Sequence, residues 1–434
     1  MNNVKILNSS KNILLCLLIA ISFSGRSFTG LTIFNYRIGE LIVGVLCVSS
    51  LFIFFYKNQN YKVLILIFRF IVLIFIVTAI FLNEPTYSTY LIQSSSYIWM
   101  ISLLFISLIL SKFIKLDSWF YITYMLIPLF LFYTETFNYP DFMKNFYLLY
   151  SDKFDFLKGS DLALVIISAQ VLSIIKLKRS YYIFTYIILI NSLFLPFLLY
   201  KSKGAFLGAF LFFIYLFFKN IRYTVSNLKN FSTFFLGVFI FILSVNHVSQ
   251  LNLYGEDTAV GYVDQTTSNL ESIIDSKNTT VIFSSFYLEN GRLYSLENNA
   301  NWRLEIWQDV IHNLTNQDLL MSGYGYSTII PEMDVAYRQG TDGSNENVHN
   351  FMINILARGG ALSLLIYLIL ILYLFILTKR KSSNFLIIFY IFSVFTISFF
   401  DATNESVRYP FIFYTFLGYF INNLDKTYKY KLSN

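Results

Sequence analysis

The sequence predicts an all-α integral membrane protein, and composition, run length and charge placement each support that fold class. Of 434 residues, 56% are apolar, 20% aromatic and 13% charged, whereas soluble chains carry about a quarter charged residues. Repeated apolar runs of about 18 to 23 residues match a hydrocarbon core roughly 30 Å thick. Runs of this length are typical of helices, because the strands of membrane barrels are only about 10 residues long.

About twelve transmembrane helices are predicted along the chain, and Gly25, Arg26 and Gly30 interrupt the first. The ranges are 12–33, 39–56, 62–83, 90–111, 119–137, 160–176, 180–200, 204–219, 229–248, 350–378, 384–401 and 407–424. They divide the chain into a membrane bundle of about nine spans at 1–248, a large loop at 249–348, and about three further spans at 349–434.

Positive charge follows the even-numbered spans, in connectors at 57–62, 112–115, 176–179, 219–229 and 379–381, and in both tails. Basic connectors stay on the cytoplasmic side of an inner membrane. Both termini are therefore predicted to be cytoplasmic and the loop at 249–348 periplasmic. The net charge of +7 is a topology signal and not a nucleic-acid footprint. Cys16 and Cys47 lie in apolar runs, which predicts buried thiols and no disulfide.

The loop carries fourteen acidic residues against four basic ones, and its second half changes pattern. After a stretch at 250–300 without clear period, one helical face collects Leu304, Trp307, Val310, Ile311 and Leu314. Asn301 is the expected N-cap, which places Arg303 in the first turn as the only basic residue near this helix. We expect the helix to lie along the membrane surface.

Two lysines break the charge rule on the outer side, where Lys201 and Lys203 flank Ser202 between spans seven and eight. If Ser202 caps the next helix, its amides and an ammonium group form an anion site suited to phosphate. The alternative is two lysines that extend toward water from a helix end. Arg303 offers bidentate bonds to phosphate, and the alternative there is a salt bridge with Glu305 or Glu297.

His349 opens span ten from the outer side, where a neutral imidazole can take a proton from a hydroxyl as a general base. The alternative is a histidine that caps the helix. Asn350 is positioned to orient the ring or to contact substrate. His247 and His312 are interpreted as structural, and three dispersed histidines predict no metal site. Arg358 lies inside a span and needs a partner, for which Glu84, Asp401 and Glu405 are equal candidates.

These residues resemble the O-antigen ligase and O-antigen polymerase superfamily. The resemblance rests on the ordered set Arg303-Leu304-Glu305-Ile306-Trp307, Gly323-Tyr324-Gly325, His349-Asn350 and Gly360. Ser202-Lys203-Gly204 is similar to a Ser-Arg-Gly element of that family. Two departures are Lys203, where arginine is more usual, and Ser363, where a second glycine commonly follows.

The resemblance implies a metal-independent, inverting glycosyltransferase with a GT-C-like architecture and no cofactor. Its donor would be an oligosaccharide on undecaprenyl diphosphate, and its acceptor a lipid-linked repeat unit or lipid A core. Lys203 and Arg303 would bind the diphosphate of the donor and stabilise the leaving group as charge develops. Lys201 and Asn350 are further candidate substrate contacts, which their positions beside Lys203 and His349 suggest. His349 would be the catalytic base. Membrane lipids and a chain-length regulator are the other partners considered, and nucleic acid is not expected.

An O-antigen polymerase is favoured over a ligase, because the chain is rich in Phe, Tyr, Ile, Asn and Lys, a bias common in surface-polysaccharide gene clusters. Capsule polymerases share the motifs. A polysaccharide flippase is the alternative of another class, since intramembrane arginines suit transport. A non-catalytic receptor or scaffold is the third possibility.

Overall fold

The computed structural model describes residues 2–81, 89–113, 116–137, 139–151, 157–177, 180–226, 228–251, 279–283, 285–335, 338–339, 346–381, 385–401 and 403–431. Most of them are helical, and the chain is a helical membrane protein as expected. Seven helices in these ranges are long and apolar enough to cross a membrane, or eight if one bent pair forms a single span. The finer count of about twelve spans stays a prediction.

Two compact units divide the chain. The membrane unit comprises Met1–Val72, Ile92–Leu251 and Leu368–Asn434, and the loop unit comprises Leu73–Leu91 and Asn252–Tyr367. The loop unit contains residues 252–348 of the predicted loop, continues to Tyr367 and adds the separate segment Leu73–Leu91. Residues 252–278 of that loop lie outside the described ranges.

Sixteen helices are named here in chain order within the described residues. They are α1 (Asn2–Thr29), α2 (Ile38–Phe55), α3 (Lys62–Phe81), α4 (Thr89–Ser94), α5 (Ser96–Met100), α6 (Ser102–Phe113), α7 (Ser118–Thr136), α8 (Asp141–Tyr150), α9 (Gly159–Lys176), α10 (Ser180–Lys201), α11 (Lys203–Ser226), α12 (Leu228–Ser249), α13 (Asn298–Asn316), α14 (Phe351–Lys381), α15 (Leu386–Phe400) and α16 (Arg408–Lys431). Single 3₁₀ turns occur at Gln59–Tyr61 and Pro331–Met333.

Helix α9 is the centre of the membrane unit, because residues 159–174 are all buried. It packs against α1, α7, α10, α11, α15 and α16. Small residues such as Ala163, Ser168 and Ala169 recur along it, and small residues let neighbouring helices approach closely in membranes. The predicted span at 90–111 is divided among α4, α5 and α6. The predicted interruption of α1 is confirmed, since Gly25 has φ 49° and ψ −120°.

Five short strands in the described part of the chain were not predicted. In the membrane unit, β1 (Thr32–Ile33) pairs with β2 (Tyr36–Arg37) in an antiparallel hairpin. In the loop unit, β3 (Thr279–Phe283), β4 (Phe286–Glu289) and β5 (Arg292–Ser295) form an antiparallel sheet in that order. The β4–β5 turn is Asn290-Gly291, with φ 49° and 76°. This dipeptide is the strongest short hairpin signal a sequence can carry.

The loop unit has its own apolar core beneath α13. Ile306, Val310 and Leu314 are fully buried there, and they pack with Ile330, Met333, Val348, Leu356 and Ala357. The predicted apolar face of this helix was therefore partly wrong, because Ile311 is 43% exposed. The buried stripe is turned toward Trp302 and Ile306 instead.

The predicted start of α13 was also wrong. The helix begins at Asn298 after Glu297, so Arg303 lies in its second turn. Asn301 does not cap the helix, because its Oδ1 accepts a hydrogen bond from the Ser295 amide at 3.0 Å, at the end of β5. Of the two cysteines, both free, Cys16 is exposed and not buried as predicted, while Cys47 is partly buried.

Candidate active site

The first part of the site is the junction between α13 and the residues that precede α14. The Trp307 indole Nε1 donates a 2.6 Å hydrogen bond to the Val348 carbonyl. One residue further on, the His349 imidazole lies edge-on to the Trp302 ring, with centroids 5.3 Å apart and an interplanar angle of 64°. The structure therefore places His349 against the helix that carries Arg303, in one unit.

His349 has an unusual backbone. Its φ is 52°, in the left-handed region that costs an ordinary residue roughly 1–2 kcal/mol. The next residue, Asn350, is the helix cap, because its Oδ1 accepts hydrogen bonds from the amides of Met352 at 2.9 Å and Ile353 at 3.1 Å. His349 itself is therefore not the cap. Asn350 is only 1% exposed, so its proposed contact with substrate stays a prediction.

The Gly-Tyr-Gly motif binds α14 through its backbone. The amides of Tyr324 and Gly325 donate to the carbonyls of Ala357 at 2.7 Å and Arg358 at 3.0 Å. Helix α14 is broken at Gly360, where φ is 69°, and Gly323 opposite has φ 73°. A Cβ at Gly323 would lie 2.5 Å from the Arg358 carbonyl oxygen. Glycine is required here both by the positive φ and by the close backbone contact.

Arg358 is 2% exposed and has a structural role that the sequence did not reveal. Its guanidinium donates to the carbonyls of Gly325 and Thr328, and to the Tyr90 hydroxyl at 2.5 Å. The same guanidinium lies 5.2 Å from the Tyr90 ring centroid. Among the described residues, Arg358 is therefore bonded to these oxygens and not to a carboxylate as predicted. Glu84, one of the predicted partners, lies outside the described residues.

Acidic residues of α13 are paired with two arginines. Arg338, 6% exposed, bonds Glu305 at 3.1 Å and Asp309 at 2.6 Å, and Arg292 also pairs with Asp309. Arg303 was therefore wrongly predicted to be the only basic residue near this helix. Burial opposes ionisation of Asp309, but hydrogen bonds from Arg338 and Arg292 outweigh it and lower the pKa of the carboxyl.

A buried acid lies beside the same arginine, because Arg338 Nη1 also donates to the Glu332 carbonyl at 3.1 Å. Glu332 is 4% exposed, and its Oε1 accepts hydrogen bonds from Asn313 Nδ2 at 2.8 Å and from the Tyr324 hydroxyl at 2.7 Å. Burial, and then the bond to this carboxylate, raise the pKa of Tyr324. Tyr324 thus connects the Gly-Tyr-Gly motif to the segment that leads toward His349.

The lysines predicted to bind substrate lie in the membrane unit. Ser202 caps α11 as expected, because its Oγ accepts from the Ala205 amide at 3.3 Å. Lys203 is exposed in the first turn of that helix. Lys201, in contrast, forms an ion pair with Glu135, whose side chain is only 1% exposed. The substrate roles of Lys201 and Lys203 stay predictions, and Lys201 has a structural partner.

Further buried charges surround this end of the membrane unit. Arg408 forms an ion pair with Asp161, and the Ser160 hydroxyl donates to Asp401 at 2.7 Å. A Cβ on the neighbouring Gly159 would lie 2.7 Å from Cβ of Ser202, so these groups are close to the α10–α11 junction. No functional or structural role was predicted for Glu135, Asp161 or Arg408. An acidic residue at the end of an apolar run was the available signal.

Residues 156–368 match the family model described as O-antigen ligase. This segment belongs to the O-antigen ligase and polymerase superfamily. The match covers Lys203 and the whole junction around Arg303 and His349, so the predicted resemblance is confirmed. No curated protein gives a significant match to the chain. The protein is a multi-pass membrane protein. Its location in the inner membrane and the periplasmic position of its site stay predictions.

Proposed function

We propose that this membrane enzyme transfers a glycan from undecaprenyl diphosphate to a hydroxyl group, with His349 as general base. The observation that carries the proposal is the attachment of His349 to α13 through the Trp302 ring and the Trp307–Val348 hydrogen bond. A base is effective only when its position is fixed relative to the reacting hydroxyl. The family supports glycosyl transfer as the reaction class.

The proposed reaction is a single displacement. The acceptor hydroxyl oxygen attacks the anomeric carbon of the donor, and the bond to the diphosphate breaks on the opposite side, which inverts the configuration. His349 takes the hydroxyl proton. The diphosphate leaves with its electron pair, and Arg303 stabilises the negative charge as it develops. Lys203, exposed at the capped start of α11, is the second cation proposed to bind the donor.

The acceptor we favour is a second lipid-linked repeat unit, which makes the protein an O-antigen polymerase. The composition typical of surface-polysaccharide gene clusters supports this choice. Ligation of the finished chain to lipid A core is the second candidate, and the description of the matched family supports it.

Complementation of a deletion strain tests the proposal. Lipopolysaccharide would be resolved on a gel, and lipid-linked glycan extracted in parallel. Core carrying one repeat unit identifies a polymerase, and core without O-antigen beside accumulated lipid-linked polymer identifies a ligase. Lipid-linked single units that never reach the periplasmic face would indicate a flippase and contradict the proposal.

We expect His349→Ala to lower the glycosyl transfer rate by about 10²–10⁴-fold. Arg303→Ala should cost about 10²–10³-fold, and Arg303→Lys should recover only part of that loss. His312→Ala is the matched control. His312 is exposed on α13, the helix that carries Arg303, and among the described contacts it is bonded only to Asn316. Normal product from His349→Ala, at wild-type expression, would refute the assignment of the base.

A further inference from the structure

We propose that α8 and the β1–β2 hairpin bind the interface of the outer lipid leaflet. The surface concerned, called the interfacial surface, consists of Ile33, Phe34, Phe142, Phe146, Leu149 and Tyr150. All six side chains are exposed, and Phe34 is 92% exposed. The inference concerns a lipid-binding surface that takes no part in the proposed reaction, so it stands or falls independently of that reaction.

Helix α8 has three faces with different chemistry. Tyr147 faces the protein, where it is 8% exposed and its hydroxyl donates to Ser24 Oγ at 2.6 Å. At a helical 100° per residue, Phe142, Phe146 and Leu149 share a second face. Their exposed fractions are 75%, 48% and 75%. A third face carries the exposed polar residues Asp141, Lys144 and Asn145, with the exposed Leu148 among them. A face covered by protein, an apolar face and a polar face together are typical of a helix lying in a membrane interface.

The direction of α8 agrees with this placement. Its axis is bent by 85° from that of α7. Helix α7 has 19 residues, within the range of about 17–25 that spans a bilayer, and together with α8 it is apolar enough to count as one bent span. A helix nearly perpendicular to a spanning helix runs along the membrane plane.

The hairpin extends the same surface. Its Thr32 hydroxyl donates to the Tyr150 carbonyl at 3.3 Å, and Leu31 forms a β-bridge with Ser151, so the hairpin is attached to the end of α8. Phe34 occupies the turn with φ 51°, a conformation that favours glycine or asparagine. The turn therefore presents a bulky ring outward at a backbone cost of about 1–2 kcal/mol. Contact with an apolar phase would offset that cost.

Lipid is the occupant that the surroundings favour. The end of α7, which directly precedes α8 in the chain, carries further exposed aromatic residues, Phe130, Tyr133 and Phe137. Aromatic side chains are enriched where a membrane protein meets the lipid headgroups. The unit that carries the interfacial surface also carries most of the helices apolar enough to span a membrane, so lipid is the apolar phase beside it.

Spin labels test the inference in vesicles of phosphatidylcholine and phosphatidylglycerol. Single cysteines would replace Phe146 and Leu149 on the apolar face, and Lys144 and Asn145 on the polar face, in a Cys16→Ala/Cys47→Ala background. Collision with oxygen, which partitions into lipid, is compared with collision with a water-soluble nickel chelate. We expect a high oxygen-to-nickel ratio for the first pair, at a depth of about 5–10 Å, and a low ratio for the second.

Three other outcomes would each overturn the inference. A low ratio at all four positions means that the surface faces water. A high ratio at all four means that α8 is a re-entrant segment inside the bilayer. Exclusion of both reagents from the Phe146 and Leu149 labels means that a protein, either a partner or a second copy, covers the surface. The labelled residues are exposed, so the substitutions leave the packing of the fold intact.

Discussion

Replacement of Lys201 by methionine should destabilise the membrane unit by about 3–5 kcal/mol, because it leaves a buried carboxylate without its counter-charge. That carboxylate, Glu135, has a side chain only 1% exposed, whereas the Lys201 side chain is 19% exposed. Glu135 also accepts hydrogen bonds from the Tyr139 hydroxyl at 2.8 Å and from the Leu157 amide at 3.0 Å. Three groups therefore depend on one acid.

The two partners of the pair should differ in their effects. Glu135→Gln leaves an ammonium group that can reach water and that lies 5.4 Å from the Phe197 ring centroid, so it should cost less than about 3 kcal/mol. The double variant Glu135→Gln/Lys201→Met has no uncompensated charge, and an amide oxygen can still accept from Tyr139 and Leu157. It should be more stable than Lys201→Met, with a coupling energy of roughly 2–3 kcal/mol.

Reversible unfolding in mixtures of mild detergent and sodium dodecyl sulfate measures these free energies. Equal losses that simply add in the double variant would refute the ion pair as the reason for the effect. Glycosyl transfer by the double variant then separates the two roles of Lys201. Retained activity assigns the lysine to structure, and a stable but inactive double variant assigns it to substrate binding.

Two further predictions concern α13. Trp307→Phe removes the hydrogen bond to the Val348 carbonyl but keeps an aromatic ring. We expect kcat to fall about 5- to 100-fold, with KM for the glycan donor unchanged. The control Trp119→Phe on α7 should have no effect. An unchanged kcat would show that this bond does not position His349. Because two arginines lower the pKa of Asp309, its stabilisation is fully present above the ordinary value of 3.8 and is lost as pH falls below it. The measurement is fluorescence of the α13 tryptophans, with the chain's other tryptophans replaced by phenylalanine. It should show an acid transition that Asp309→Asn removes. A transition of equal size in that variant would contradict the reasoning.

The parts of the fold that the sequence could predict depend on nearby residues. Apolar runs indicate membrane helices, the break at Gly25 follows from one residue, and Ser202 caps the helix that begins immediately after it. The ordered motifs around Arg303 and His349 were sufficient to identify the superfamily, because their chemistry and order can be read without any long-range contact. The Asn290-Gly291 turn was an equally local signal of the sheet, and it was overlooked.

The parts that could not be predicted depend on residues far apart in the chain. Glu135 and Lys201 are separated by 66 residues, so hydropathy alone gave no reason to pair them. Asn301 is a good capping residue by type, but its side chain is used by Ser295 in the neighbouring strand. The periodicity of α13 predicted an apolar face. Contacts with Val348 and Leu356 determine which side of the helix is buried.

The bond between Arg358 and Tyr90 also has a consequence for synthesis of the chain in the membrane. The two residues are 268 positions apart, and they belong to the two segments of the loop unit, Leu73–Leu91 and Asn252–Tyr367. Chains emerge from the ribosome N-terminus first, at about 5–20 residues per second. The earlier segment must therefore wait for more than about ten seconds before its partner exists. Assembly of the loop unit is consequently a late event, completed only after the sequence up to Tyr367 has been made.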